Sequence, residues 1–395
     1  MNKNYFDTKE KKLCCGCKVC SSICPVDAIS FQNDEEGFWY PIINEVKCIK
    51  CNKCRTTCPL AKNELDKIKE ENQTYAAYSK SKEVLNNSTS GGVFTHISDY
   101  ILDEGGVIFG HAYYEELKCI CKIARTKDER NAFRGSKYVQ SDMNSVYEEI
   151  KNEVKTGKKV LVTGTPCQVD AVKNFFSGKI PENLFTMDIV CHGVPSPQIF
   201  SEYVELQEKK SGKKIVDLKF RDKKEGWTTP HRVFEYSDGT SCDELLNADA
   251  FNNLFLGTDC ILRPSCFSCK YAGNQRISDI SIADFWGIQN KHNDMFNENR
   301  GVSLVLVNTD KGNSLFQKIQ KNQTMLIKKV SLSDAQERNY PLLHPSTPYF
   351  DRNKFFIDYQ KKGLDYCLTM YCSRSFKARI YRKIRKFLHK TILLS

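Results

Sequence analysis

Cys14-Cys15-Gly16-Cys17-Lys18-Val19-Cys20-Ser21-Ser22-Ile23-Cys24-Pro25 decides how the start of the chain is read. Cys14, Cys17, Cys20 and Cys24 form C-x2-C-x2-C-x3-C ahead of a proline, and Cys48, Cys51, Cys54 and Cys58 repeat the pattern ahead of Pro59. Two-residue gaps wrap a short loop around a cube, so three sulfurs reach three irons of one [4Fe-4S] cluster. The Cys beyond the three-residue gap turns away and ligates the other cluster. The spacing therefore assigns Cys14, Cys17, Cys20 and Cys58 to one cluster, and Cys48, Cys51, Cys54 and Cys24 to a second. Zinc sites use paired C-x2-C knuckles, not runs of four ending in proline. Neither half of such a repeat buries a core alone, so the halves are expected to pack about a pseudo-twofold axis. Residues 28–31 and 38–41 read as short strands covering the clusters. Cys15 lies outside the register and is read as a non-ligand. Two adjacent clusters conduct electrons without catalysing a reaction, so the rest of the chain must supply a donor or acceptor.

The whole chain of 395 residues is 40% apolar and 27% charged, the balance of a globular protein. At this length two or three domains are expected. No apolar stretch is long enough for a membrane span, and the polar N-terminus has no apolar core like that of a secretory leader. Nineteen cysteines without such a leader point to metal rather than disulfides, and to the cytoplasm. The formal charge of +11 is concentrated in one place: residues 371–395 carry eight Lys or Arg and no acidic residue. Apolar residues recur there at helical spacing (Phe376, Ile380, Ile384, Phe387). Such a basic amphipathic helix suits an anionic surface, here the inner membrane face, or an acidic partner; it equally suits a helix packed on the body. Nucleic-acid binding is not indicated, because no recognised module accompanies the charge.

The fold expected is an α+β ferredoxin-like two-cluster module, then an α/β body with a largely parallel or mixed sheet, then a helical C-terminal tail. Residues 1–60 form the module, 61–74 a polar linker, 75–345 the body (75–155 and 156–345), and 346–395 the tail. Strands are read at 75–79, 107–113, 118–125, 160–162, 184–191 and 280–283, with helices at 92–104, 142–155 and 196–210. Three features of the body carry chemistry. The Ser90-Gly91-Gly92 turn opens a helix, which favours an anionic group; a plain cap reads the same way. Thr163-Gly164-Thr165-Pro166-Cys167-Gln168 follows a buried strand and opens another helix, the position that faces the ligand crevice of open α/β sheets. Cys167, in its first turn, is a candidate reactive thiol. Finally, Cys191, Cys260, Cys266 and Cys269 could hold a third [4Fe-4S] cluster or a structural zinc, with Cys167 as a substitute for Cys191. His192 and His231 are candidate proton donors. Asp284 reads as a turn carboxylate, and Arg221-Asp222 as part of a solvated charged loop.

Taken in order, TSGGVF (89–94), RGSKYVQS (134–141), GTPCQV (164–169), CHGVPSP (191–197), FRDKKEGW (220–227), the C-x5-C-x2-C of 260–269 and SDISIADFWGI (278–288) form a recognisable set. It resembles the coenzyme F420 hydrogenase/dehydrogenase beta-subunit family, in the branch with a fused ferredoxin domain. The resemblance implies an iron–sulfur flavoprotein oxidoreductase that passes electrons between its clusters and FAD, and on to a reducible substrate or coenzyme. By that analogy Ser90, Gly91, Gly92, Gly164, Thr165, Pro166, Cys167 and Gln168 line the flavin site, and Lys137 brings a positive charge to it. The expected partners are an external ferredoxin or other redox protein, and an unknown small-molecule or protein-bound acceptor. Two rival readings are an electron-transfer subunit serving a partner enzyme, as in polysaccharide synthesis, and a non-redox interaction protein with structural metal sites.

Overall fold

The computed structural model describes residues 4–61, 73–143, 145–296, 298–348, 351–372, 380, 383 and 384. Most of the 61–74 linker, and nearly all of the basic stretch after Cys372, lie outside them.

In the module the strands expected at 28–31 and 38–41 appear as β1 (Ile29–Asn33) and β2 (Trp39–Ile43), which pair antiparallel. The body begins with β3 (Gln73–Ser79), followed by β4 (Val107–Tyr114), β5 (Lys118–Ala124), β6 (Val160–Gly164) and β7 (Leu184–Ile189). β8 (Ile215–Asp222), β9 (His231–Tyr236) and β10 (Ser241–Leu245) form a separate antiparallel sheet. β11 (Ile280–Asp284), β12 (Ser303–Val307) and β13 (Met325–Lys329) return to the first. The large sheet has the order β13-β3-β12-β11-β7-β6-β4-β5. Its central strands β11, β7, β6 and β4 run parallel, while antiparallel strands flank them on both sides. β12, Ser-Leu-Val-Leu-Val, is buried at every position, as a strand covered on both faces must be.

Two helical layers cover this sheet. On one face α1 (Val93–Asp103) buries Val93, Ile97 and Ile101, one helical stripe, beside α5 (Asp310–Lys321) with Leu315, Phe316 and Ile319. On the other, α2 (Val146–Lys155) and α3 (Pro166–Phe175) share a core with Cys15, Cys17 and Val19 of the dicluster module. The small sheet, α4 (Pro197–Ser211) and α6 (Arg352–Cys367) form an aromatic-rich lobe. The structure thus puts the first part of the expected tail into a core: Phe355, Phe356 and Tyr359 of α6 are buried in this lobe.

The module is fastened to the body by many polar contacts. Tyr147 Oη donates to Cys17 O at 2.6 Å, Lys18 pairs with Asp142 at 2.6 Å, and Lys270 Nζ donates to Pro59 O at 2.6 Å. Arg352 grips Glu36 through two bonds of 2.7 and 2.6 Å, the bidentate geometry that fixes position as well as charge.

Candidate electron-transfer and cavity site

Each residue of the first cysteine run has its counterpart 34 positions on, and the backbone follows the repeat. Gly16 and Lys18 have φ of 68° and 64°; their counterparts Lys50 and Asn52 have 54° and 61°. Left-handed backbone at non-glycine residues is costly and persists where a loop must curl tightly. The thiols are drawn together crosswise. Burial raises Cys20, whose charged neighbours are Cys14, Cys58 and Cys54, and pushes Cys58 up to about 12, with Cys14 next in effect. Burial likewise raises Cys54, and its cysteine neighbours are Cys24, Cys48 and Cys51.

At the third site the structure departs from the set expected from spacing. Burial raises Cys191 strongly, followed by Cys266, Cys167 and Cys269. Cys266 is pushed up to about 12 by burial with Cys269 next, and Cys269 to about 11 by burial with Cys167 next. Cys260 is elsewhere. Its Sγ lies 2.8 Å from Thr258 Oγ1 and 3.9 Å from Leu254 O, buried in the core of the small-sheet lobe. Asp259, with φ of 58°, reverses the chain just before it. The four thiols that gather are Cys167, Cys191, Cys266 and Cys269. Cys15, buried, touches both Cys167 and Cys17 and so stands between this site and the module. No three or more His, Cys, Asp or Glu among the described residues converge on a single-ion position; the ligands of a cube stand further apart than those of one ion.

A cavity of about 660 Å³ opens beside these thiols, at the carboxyl ends of β6, β7 and β11. This is the crevice position of open α/β sheets, and the volume suits an organic ligand. Of the residues expected there, Ser90, Gly92, Lys137, Gly164, Thr165 and Gln168 line it, as does Cys191. Gly91 does not: a Cβ on it would run into the Ala77 carbonyl and Ser303, so it is small to let the turn pack on β3 and β12. Pro166 and Cys167 also lie off the wall, with Cys167 on the thiol side of the same turn. α1 reaches the cavity with no side chain capping its N-terminus, which leaves N–H groups directed outward. Lys137 Nζ donates only to carbonyls, at 2.8 Å to Ala132 and 2.6 Å to Arg134 among them, and desolvation lowers it to about 8.

His192 lines the cavity and bonds Asp259 Oδ1 at 2.6 Å, whereas His231 lies in the small sheet against Asp243. Two groups escaped the sequence reading. His111 faces the cavity between Ser141 Oγ (2.7 Å) and Thr163 O (3.0 Å), and burial lowers it to about 4, so it is neutral. Arg221, read above as part of a solvated loop, has a largely covered side chain that bonds Asp284 at 2.9 Å. Trp227 Nε1 donates to the same carboxylate at 2.6 Å and its ring stacks on Trp286. Asp284 is therefore the hub of the cavity wall. Its partners lie 63 and 57 residues away in sequence, a distance at which local spacing gives no signal.

Residues 13–62 match the description "4Fe-4S dicluster domain". Residues 74–148 and 157–332 match "Coenzyme F420 hydrogenase/dehydrogenase, beta subunit", N-terminal and C-terminal parts respectively. Among solved structures, a chain of the F420-reducing [NiFe] hydrogenase complex from Methanosarcina barkeri is similar at 20% identity. The likeness covers 73% of this chain and 92% of that one, with a TM-score of 0.48. No curated protein matches. A dicluster module fixed to a mixed-sheet body defines an iron–sulfur electron-transfer protein. The chain belongs to the coenzyme F420 hydrogenase/dehydrogenase beta-subunit family, with an N-terminal 4Fe-4S dicluster domain. No helix among the described residues is long and apolar enough to cross a membrane.

Proposed function

We propose that the chain is an iron–sulfur flavoprotein oxidoreductase of the cytoplasm. It exchanges single electrons with a protein carrier at its N-terminal module and serves a reducible substrate or coenzyme in the cavity. The observation that carries this reading is the turn 163–168. Thr163, Gly164, Thr165 and Gln168 wall the cavity, while Cys167, on the same turn, faces Cys191 and the Cys266–Cys269 knuckle. Cavity and thiol site therefore share one rigid wall.

The residues present fit the groups the reading requires. All-thiol donor sets suit iron–sulfur cubes, and the sets proposed are Cys14, Cys17, Cys20, Cys58; Cys48, Cys51, Cys54, Cys24; and Cys167, Cys191, Cys266, Cys269. For FAD, the uncapped N-terminus of α1 and Lys137 would meet the diphosphate. Asp188, a residue of the cavity wall, keeps Oδ2 buried without a hydrogen-bond partner. When bound, flavin couples one-electron carriers to two-electron hydride chemistry. The chain's own contribution is placement: His192, held by Asp259, presents a ring at the cavity, and the Arg221–Asp284–Trp227 cluster keeps one wall rigid.

Anaerobic purification followed by iron, zinc and flavin analysis tests the reading. About twelve irons and one flavin per chain are expected, four irons to each cube. Loss of flavin even after anaerobic reconstitution would sink it, and about eight irons with zinc would remove the third cluster. Reduction of a small acceptor by the isolated chain separates a complete enzyme from a subunit that works only with a partner.

Lys137 gives the cavity a pH signature. Its proton leaves the free protein as pH rises through about 8. An anion bound beside it favours the charged form, so binding above that pH requires proton uptake and weakens as pH rises. FAD affinity, followed by fluorescence quenching, is expected to be level below pH 8 and to fall above it. Lys137→Gln should bind about tenfold more weakly at pH 7, the cost of one charge-assisted hydrogen bond, and show no fall. Parallel profiles for the two proteins would remove Lys137 from the site.

A further inference from the structure

Arg263 is fully buried on the seam between the dicluster module and the body, three residues before Cys266. Its Nε donates to Cys14 O at 2.7 Å, Nη1 to Gln140 Oε1 at 3.0 Å, and Nη2 to Trp39 O at 2.9 Å. Nη2 also lies 3.5 Å from Cys14 Sγ. The guanidinium carbon lies 5.2 Å from the Phe38 ring centroid and 4.4 Å from that of Tyr40. Gly16 must be glycine here, since a Cβ would collide with both this guanidinium and the Gln140 amide.

Arg263 differs from the other buried and half-buried arginines in what surrounds it. Arg130, Arg221, Arg232, Arg276 and Arg352 each pair with a carboxylate: Asp99, Asp284, Asp249, Asp188 and Glu36. The largest charged influences on Arg263 are instead Cys14, Tyr40, Cys15 and Cys266. A cation taken wholly out of water needs a counter-charge. The acid groups that can provide one here are cysteine sulfurs.

We propose that Arg263 is the counter-charge of the cluster held by Cys14, Cys17, Cys20 and Cys58, and that it raises that cluster's reduction potential. The proposal rests on the crosswise ligand sets given above. Reduction adds a negative charge to the site, and a fixed buried cation with an N–H on a ligand sulfur favours the more negative state. Among the described residues no Lys or Arg side chain bonds a sulfur of the Cys48 set: Cys24 Sγ accepts from the Ala28 backbone N–H at 3.3 Å, Cys54 is raised mainly by burial, and Cys51 is exposed. Arg263 is thus a positioning residue that draws the electron towards the body side of the module.

The test is an EPR-monitored redox titration of the full iron-loaded chain. Arg263→Gln should lower the midpoint of one dicluster signal so that its reduced-to-oxidised ratio, at the wild-type midpoint, falls about tenfold (~59 mV for a one-electron couple). The other dicluster signal should stay in place. Arg263→Lys keeps the charge but loses the fork, and should shift the ratio about threefold. Arg352→Gln breaks the Glu36 pair on the same seam without touching a sulfur, and should shift nothing. An unmoved midpoint in Arg263→Gln, or an equal shift in Arg352→Gln, overturns the proposal. Where Arg263→Gln does not load iron, an unmoved midpoint in Arg263→Lys overturns it instead. Fewer than about eight irons in the wild-type chain would be a different failure, that of the ligand sets themselves.

Discussion

Cys167→Ala is expected to lose about four irons per chain, and Cys260→Ala none. Spacing alone predicts the reverse, since Cys260 stands in sequence with Cys266 and Cys269 whereas Cys167 is a hundred residues upstream. The sheet decides otherwise. β6 and β7 are parallel neighbours in which Gly164 pairs with Asp188. Cys167 and Cys191 each lie three residues beyond that pair, so they leave the same edge of the sheet side by side. The knuckle carrying Cys266 and Cys269 folds against them. Cys260 has its Sγ against Thr258 and Leu254 instead, inside another core. Alanine is preferable to serine, because a serine oxygen can still ligate iron. Iron and acid-labile sulfide, measured on protein purified anaerobically, decide the matter. A Cys260→Ala protein short of four irons beside an intact Cys167→Ala protein would restore the set expected from spacing. Cys15→Ala, which touches Cys167 without joining the ligands, should keep its full iron content.

The same contrast shows where sequence reading is strong. The dicluster module was legible because all its ligands lie within 45 residues and the cube dictates their spacing. The paired strands β4 and β5, the helices at 93–103 and 197–211, and the strand–turn–helix at 160–175 were legible because their periodicity is local. What escaped depends on contacts across the fold. β8 and β9 intersperse charged residues among buried apolar ones and β10 is exposed throughout, so FRDKKEGW reads as a loop although Phe220 and Trp227 are buried. Arg221 reads as solvated until β11 brings Asp284 to it. The run of basic residues drew attention to the far C-terminus, while the packing helix, with Phe355, Phe356 and Tyr359, lies before it. At the SGG turn Gly92 reaches the cavity, whereas Gly91 answers to the strands beneath it.

Asp188→Ala should destabilise the protein by ~3–5 kcal/mol, the largest loss expected of a single change outside the clusters. Asp188 and Arg276 are 0% and 1% exposed in their side chains, and Arg276 Nη2 donates to Asp188 Oδ1 at 2.7 Å. The same guanidinium donates to Ile189 O at 2.9 Å, Ser281 Oγ at 3.0 Å and Tyr271 O at 3.2 Å. It therefore ties β7 and β11 to the segment that follows the Cys266–Cys269 knuckle. Removing the carboxylate leaves a cation out of water with only neutral partners, and a buried charge without its counter-ion costs far more than the pair contributes. Asp188→Ala/Arg276→Met removes both charges and keeps most of the volume, so it should recover much of the loss. Urea unfolding of wild type, both single variants and the double variant forms a cycle that isolates the pair. A loss below about 1 kcal/mol in Asp188→Ala would mean that water or the neighbouring carbonyls already satisfy Arg276. A double variant as unstable as Asp188→Ala would mean that the carboxylate acts through the strand edge rather than through the charge. The knuckle adds a second readout: with Arg276 unpaired beside Cys269, iron should be released at lower urea than the main unfolding transition, whereas in the wild type the two should coincide.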